Sequence, residues 1–161
     1  MKLIFVLLII STSIISAQSQ EAYNYNDYIA NLEKSKVESI RLRAQKLNFD
    51  YHALNTSIYF DQGSPQIKGD GVLKNAYSNL KTVNYLTIPA GVDLSEVKIL
   101  ILTVERPSDL VKITSDLKLL FPNLEHVVIS SRVILSLENF RQLIPAIKND
   151  IVYLLRNDTP S

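Results

Sequence analysis

The sequence predicts an α/β fold in which parallel strands alternate with helices. Three apolar segments of similar pattern begin at Val97, Leu124 and Ile151, each 27 residues after the previous one. The first two intervening stretches carry apolar residues at offsets 0, 3, 7 and 10, which form one stripe of an α-helix. Because strands joined by a helix run parallel through right-handed crossovers, this repeat predicts a mainly parallel sheet with helices on one face.

Length and composition predict one globular domain without a nucleic-acid partner. The chain has 161 residues, of which 47% are hydrophobic and 20% are charged, and this composition excludes disorder, collagen and coiled coil. A net charge of +1 provides no field for nucleic acid. The absence of cysteine excludes a disulfide framework, a thiolate metal site and a cysteine nucleophile.

The first 17 residues have the layout of a secretory signal peptide. Lys2 supplies the positive start, residues 3–10 are apolar, and small residues follow up to Ala17. The apolar run is shorter than the roughly 20 residues of a membrane span, and we expect no span in the mature chain. The Ser-Ala-Gln ending resembles exported proteins of the Bacteroidetes. We predict cleavage between Ala17 and Gln18 and a periplasmic or secreted mature protein.

Residues 18–36 are polar and rich in tyrosine, and they predict an arm with one short helix. That helix is centred on Ile29 and begins at Asn26 or Asp27, whose side chains can accept hydrogen bonds from free helix N–H groups. Residues 37–161 then form a single repeat-like α/β domain.

Strand and helix patterns upstream of the repeat are less regular. Residues 37–42, 58–60 and 83–88 match the spacing of strands, and residues 72–76 keep the spacing of a helix stripe.

Within the repeat, Ser108 and Ser136 stand where a hydroxyl can cap each helix. Pro145 predicts that the second helix kinks or ends near Ile144, because its ring clashes with the carbonyl four residues earlier. We expect strands at 97–103, 124–130 and 151–155 and helices at 109–121 and 137–147.

The segment 121–130 (FPNLEHVVIS) resembles the strand segment of a leucine-rich repeat, L-x-x-L-x-L, and the period lies within that family's range. The resemblance covers residues 83–156 and implies a short solenoid with parallel strands and helices on one face. The sequence departs from the family at the buried Asn, since Gly91, Glu105 and Arg132 occupy the corresponding positions.

A compact parallel α/β domain covered on both faces is the alternative architecture. The near-continuous apolar runs at 97–102 and 124–129 are typical of strands buried on both sides. The amino-terminal helix or the 43–57 segment would then cover the second face. Strand order distinguishes the two architectures.

Strand positions 3 and 5 define a candidate binding face, because parallel strands stack such positions in register. Either the chain covers this strip itself, with Tyr28, Ile29 and Leu32 as the cover, or a partner does. Its members are Tyr85, Thr87, Ile99, Ile101, His126, Val128, Tyr153 and Leu155.

The sequence contains no familiar catalytic or metal-binding motif, and we expect no enzyme activity, no cofactor and no metal. We predict an exported non-catalytic interaction module that binds a protein or a surface ligand such as a glycan through the strip. One alternative is a periplasmic inhibitor or immunity-type factor. Another is a small hydrolase with a dispersed site, whose base would be His52 or His126.

Overall fold

One seven-stranded sheet organises the structure, a computed structural model that describes residues 21–60, 64–145 and 150–158. The proposed signal peptide lies outside these residues. The strands are β1 (Ala22–Asn24), β2 (Ser57–Phe60), β3 (Gln66–Lys68), β4 (Asn75–Asn79), β5 (Ile99–Val104), β6 (His126–Ser131) and β7 (Val152–Asn157). The α-helices are α1 (Tyr25–Glu33), α2 (Glu38–His52), α3 (Leu117–Leu120) and α4 (Leu137–Leu143), and 3₁₀ helices occupy Leu80–Tyr85 and Pro107–Asp109.

The strand order is β1-β7-β6-β5-β4-β2-β3, and every pair is parallel except β2 with β3 at one edge. The prediction of an α/β fold with a mainly parallel sheet is therefore confirmed. Strands β4 to β7 are consecutive neighbours, whereas β1 pairs with β7 at the far edge. Among the described residues the structure shows no clear repeat solenoid.

The crossover connections pack on one face of the sheet, which we call the crossover face. Its strand residues include Leu100, Leu102, Val127 and Ile129, all fully buried. Residues from the 3₁₀ helix at 80–85, from α3 and from α4 cover them. This face holds the larger of the two apolar clusters in the described residues.

Helices α1 and α2 pack on the opposite face, which we call the α1–α2 face. Ile99, Ile101, Val128 and Leu154 are buried there against Tyr25, Ile29 and Leu47. The chain thus covers this part of the sheet itself. Ile29 lies in the cover as predicted, and the second helix comes from residues that overlap the 43–57 segment.

The amino-terminal segment is not a separate arm. Residues 22–24 form β1, in register with β7, and α1 follows directly. Asn24 caps this helix instead of Asn26 or Asp27, because its side chain accepts hydrogen bonds from the backbone N–H groups of both at 3.0 and 3.4 Å.

The strands and helices predicted upstream of the repeat are correct at 58–60 only. Residues 37–42 begin α2, and residues 80–85 form a 3₁₀ helix in place of the strand predicted at 83–88. Asn79 starts this 3₁₀ helix by accepting a hydrogen bond from the N–H of Lys81 at 2.8 Å. The actual strand, β4, begins at Asn75, where a helix was predicted.

Strands β5, β6 and β7 confirm the predictions within about two residues. Helix α4 is also confirmed: Ser136 Oγ accepts from the N–H of Asn139 at 3.1 Å, and the helix ends before Pro145. The predicted helix at 109–121 is wrong, since only residues 117–120 are α-helical.

Long-range hydrogen bonds hold residues 113–115 out of a helix. The N–H of Ile113 donates to the carbonyl of Leu143 at 2.7 Å, and the N–H of Thr114 donates to Asn84 Oδ1 at 2.8 Å. Donors engaged in this way cannot form the i to i−4 bonds of an α-helix.

Across the part of the chain that the structure describes, no helix has the length and hydrophobicity needed to span a bilayer.

Candidate functional site

The predicted binding face does not exist as one surface. Ile99, Ile101, His126 and Val128 share the α1–α2 face and are buried beneath the helices or at their margin. Tyr153 and Leu155 are buried in the cluster of the crossover face. Tyr85 and Thr87 lie outside the sheet, and Tyr85 is 81% exposed.

A change of register explains why β7 was assigned to the wrong face. Ile99 pairs with His126 at a spacing of 27 residues, but His126 pairs with Val152 at a spacing of 26. A shift of one residue exchanges the two faces of a strand. Val152 and Leu154 therefore take the places predicted for Tyr153 and Leu155.

Helix α2 leaves a cleft beside it, over the amino-terminal ends of three strands. Asn75, Ile99 and His126 are register partners on β4, β5 and β6, and they form a row along its floor. We call this feature the charged cleft. Its two adjoining parts have volumes of about 50 and about 210 Å³ and share Lys46, Asp50, Lys98 and Ile99. The remaining lining residues are Tyr28, Leu32, Arg43, Leu47, Lys74, Glu96 and Glu125.

Two ion pairs cross the rim of the charged cleft. Lys98 Nζ lies 2.9 Å from Glu125 Oε1, and Lys46 pairs with Asp50 one helical turn along α2. The hydrogen bond and charge of Glu125 raise the pKa of Lys98. Partial burial acts to raise the pKa of Glu125, but its bond to Lys98 outweighs burial and lowers it.

Arg43 and Lys74 are the rim cations that these pairs leave over. Neither forms an ion pair with another described residue. Counting all lining residues, four basic side chains face three acidic ones. The cleft therefore has one excess positive charge.

His126 lies in the floor with 8% of its surface exposed. Burial lowers the pKa of its imidazole to about 4, and the charge of Arg43 acts in the same direction against the opposing charge of Glu125. The ring is therefore neutral at neutral pH, and its edge packs on Tyr28 with the ring centres 6.4 Å apart. It forms no side-chain hydrogen bond with another described residue.

Asn75 is the second buried polar group of the floor. Its Nδ2 donates to the backbone carbonyl of Asp50 at 2.9 Å, which fixes the orientation of the carboxamide. Its Oδ1 is buried and has no hydrogen-bond partner. A buried acceptor without a partner costs about 1–3 kcal/mol, and such groups are rare in native proteins.

The two histidines are not arranged as a catalytic base. His52 lies at the exposed end of α2, edge-on to Tyr51 at 4.9 Å between ring centres. Among the described residues, neither imidazole is hydrogen-bonded to a hydroxyl or a carboxylate, as a nucleophile–base pair requires. A search of the same residues for three or more grouped metal ligands found none.

The carboxyl ends of the strands, where open α/β sheets usually bind ligands, carry a closed polar network. Ser130 Oγ donates to one oxygen of Asp158, and Arg156 Nε donates to the other at 2.7 Å. The guanidinium of Arg156 also lies 5.2 Å from the centre of the Tyr51 ring. These groups satisfy one another, which leaves the charged cleft as the place with unused polar groups.

Comparisons of the chain with protein-family models, curated proteins and solved structures found no match.

Sequence reasoning identified Ile99 and His126 of the cleft floor but missed Asn75. The signal for Asn75 was a polar residue at the start of an alternating Asn-Ala-Tyr-Ser-Asn segment, which apolar periodicity does not detect. The rim residues of α2 were missed because that segment was not predicted as one helix.

Proposed function

We propose that this protein is an exported, non-catalytic binding module whose ligand occupies the charged cleft. One observation carries the proposal: Asn75 and His126, two buried polar side chains in one register row, face the cleft with unused hydrogen-bonding atoms. Ligand sites typically combine an apolar floor with a few convergent polar groups, and Ile99 and Leu47 supply the apolar part. A residue of strongly shifted pKa in a cleft supports the same interpretation.

The proposal moves the interaction site from the open sheet face to the cleft. The packing of Ile29 and Leu47 over Ile101 and Val128 favours a compact domain covered on both faces over a leucine-rich-repeat-like solenoid. In such a domain a partner reaches the margin of the α1–α2 face and not its centre.

Export is part of the proposal and depends on the signal-peptide pattern of residues 1–17. Intact-mass measurement of the protein recovered outside the cytoplasm should show the loss of these residues. Retention of Met1 in a membrane fraction would contradict export.

Methyl NMR of isoleucine-labelled protein tests binding in the cleft. We expect a ligand from a chemically diverse small-molecule library to shift the methyl signal of Ile99. Ile113 is the internal control, because it is a buried isoleucine on the crossover face. If no compound shifts Ile99, or if ligands shift Ile113 alone, the cleft is not the binding site.

A further inference from the structure

We propose that the ligand of the charged cleft is a small carboxylate that also carries hydroxyl or amino donors. Its carboxylate would bind at Arg43 and His126, and its donor at Asn75. This inference rests on the proposed function and specifies the ligand class.

The donor follows from the floor of the larger part of the cleft. Asn75 Oδ1 can only accept a hydrogen bond, because the amide nitrogen of the same side chain is held by the carbonyl of Asp50. The carboxylate of Glu96, which also lines this part, is a second acceptor. A hydroxyl or amino group on the ligand matches both acceptors.

The carboxylate follows from the other end of the floor. Arg43 has no ion-pair partner among the described residues, and the neutral imidazole of His126 beside it offers one N–H donor. A guanidinium binds a carboxylate through two parallel hydrogen bonds.

The charge balance of the rim favours a single negative charge on the ligand. Four basic and three acidic side chains leave one excess positive charge, and Glu125 and Asp50 would repel a second negative charge. A carboxylate therefore fits better than a phosphate dianion.

The spacing of the floor limits the size of the ligand. Asn75 and His126 lie on strands separated by β5, so their backbones are about 10 Å apart at about 4.8 Å per strand. Ile99 lies between them and offers apolar contact to the body of the ligand. Acidic monosaccharides and amino acids both have this length and this polarity.

The test is NMR titration of the protein with D-glucuronate and with L-glutamine, using D-glucose and the methyl ester of glucuronate as controls without a carboxylate. We expect at least one of the two acids to shift the Ile99 methyl signal. The same acid should raise the pKa of His126 from about 4 by about one unit, because a nearby anion stabilises the imidazolium. Whichever acid binds identifies the source of the ligand as a sugar or an amino acid.

Variants locate the carboxylate. Arg43→Gln should weaken binding of that acid about tenfold or more, while Arg141→Gln, an exposed change on α4 on the other side of the sheet, should leave it unchanged. Equal effects of the two variants would overturn the assignment of Arg43.

The outcomes separate this inference from the proposed function. If uncharged compounds shift the Ile99 methyl signal while both acids do not, the cleft is a binding site and the ligand class is wrong. If no compound of any class shifts it, the proposed function fails as well.

Discussion

Two side chains of the cleft floor, Asn75 and His126, combine deep burial with unused polar atoms. They lie in one row because β4, β5 and β6 are in parallel register. A polar group in this situation lowers stability unless another molecule meets its hydrogen bond. A cost in folding at these positions is consistent with a site kept for binding.

The ionisation of His126 predicts a pH dependence of stability. Burial lowers its pKa from 6.5 to about 4 in the folded protein. Between these pH values the unfolded chain binds a proton that the folded chain does not. The free energy of unfolding should therefore fall as the pH is lowered from 6.5 towards 4, by at most about 3 kcal/mol.

Urea unfolding at several pH values measures this dependence. The variant His126→Phe keeps a ring against Tyr28 but cannot be protonated, so its stability should change less between pH 6.5 and pH 4 than that of the natural protein. His52→Phe, at the exposed end of α2, is the matched control. The same pH dependence in the natural protein and in His126→Phe would show that His126 is not buried in its neutral form.

Among the elements, those with regular apolar patterns were predictable from sequence. Strands β5 and β6 follow from their apolar runs, and α4 follows from Ser136 at its start and Pro145 after its end. The predicted helix at 109–121 failed because Asn84 and Leu143, distant in sequence, take its backbone donors. Local periodicity contains no information about such partners.

The register of β7 shows the same limit on a finer scale. The repeat predicted the strand correctly, but the connection before it is one residue shorter in register than the connection before β6. That single residue placed Tyr153 on the wrong face. The candidate site was consequently predicted only in part, through Ile99 and His126.

Helix α3 contains a matched pair of leucines that tests the packing of the crossover face. Leu117 is 1% exposed and Leu119 is 79% exposed, although the two are only two residues apart. Leu117→Ala should lower the free energy of unfolding by about 2–5 kcal/mol, and so should Ile144→Ala. Leu119→Ala should change it by less than about 0.5 kcal/mol. Urea unfolding that finds equal losses at 117 and 119 would contradict this packing.

On the scale of the whole molecule, both ends of the described chain meet in the sheet. Strand β1 pairs with β7, and α1 and α2 then cross the face that β5, β6 and β7 present. Residues that look like a polar arm in the sequence are thus part of the domain. Their packing over the strip leaves the charged cleft at the margin as the accessible part of this face.

The central claim is that α1 and α2 form a permanent part of the core, so that a ligand binds at the cleft and not on the sheet. The double variant Ile101→Asp with Val128→Asp tests it most directly, because it would bury two carboxylates without partners. The control is Leu42→Asp with Phe49→Asp, two exposed apolar residues of α2.

Circular dichroism and urea unfolding of both double variants provide the measurement. We expect the Ile101/Val128 variant to be unfolded in the absence of urea and the Leu42/Phe49 variant to unfold close to the midpoint of the natural protein. A folded Ile101/Val128 variant with an unchanged midpoint would mean that the helices do not seal this face, and the sheet itself would then be the binding surface.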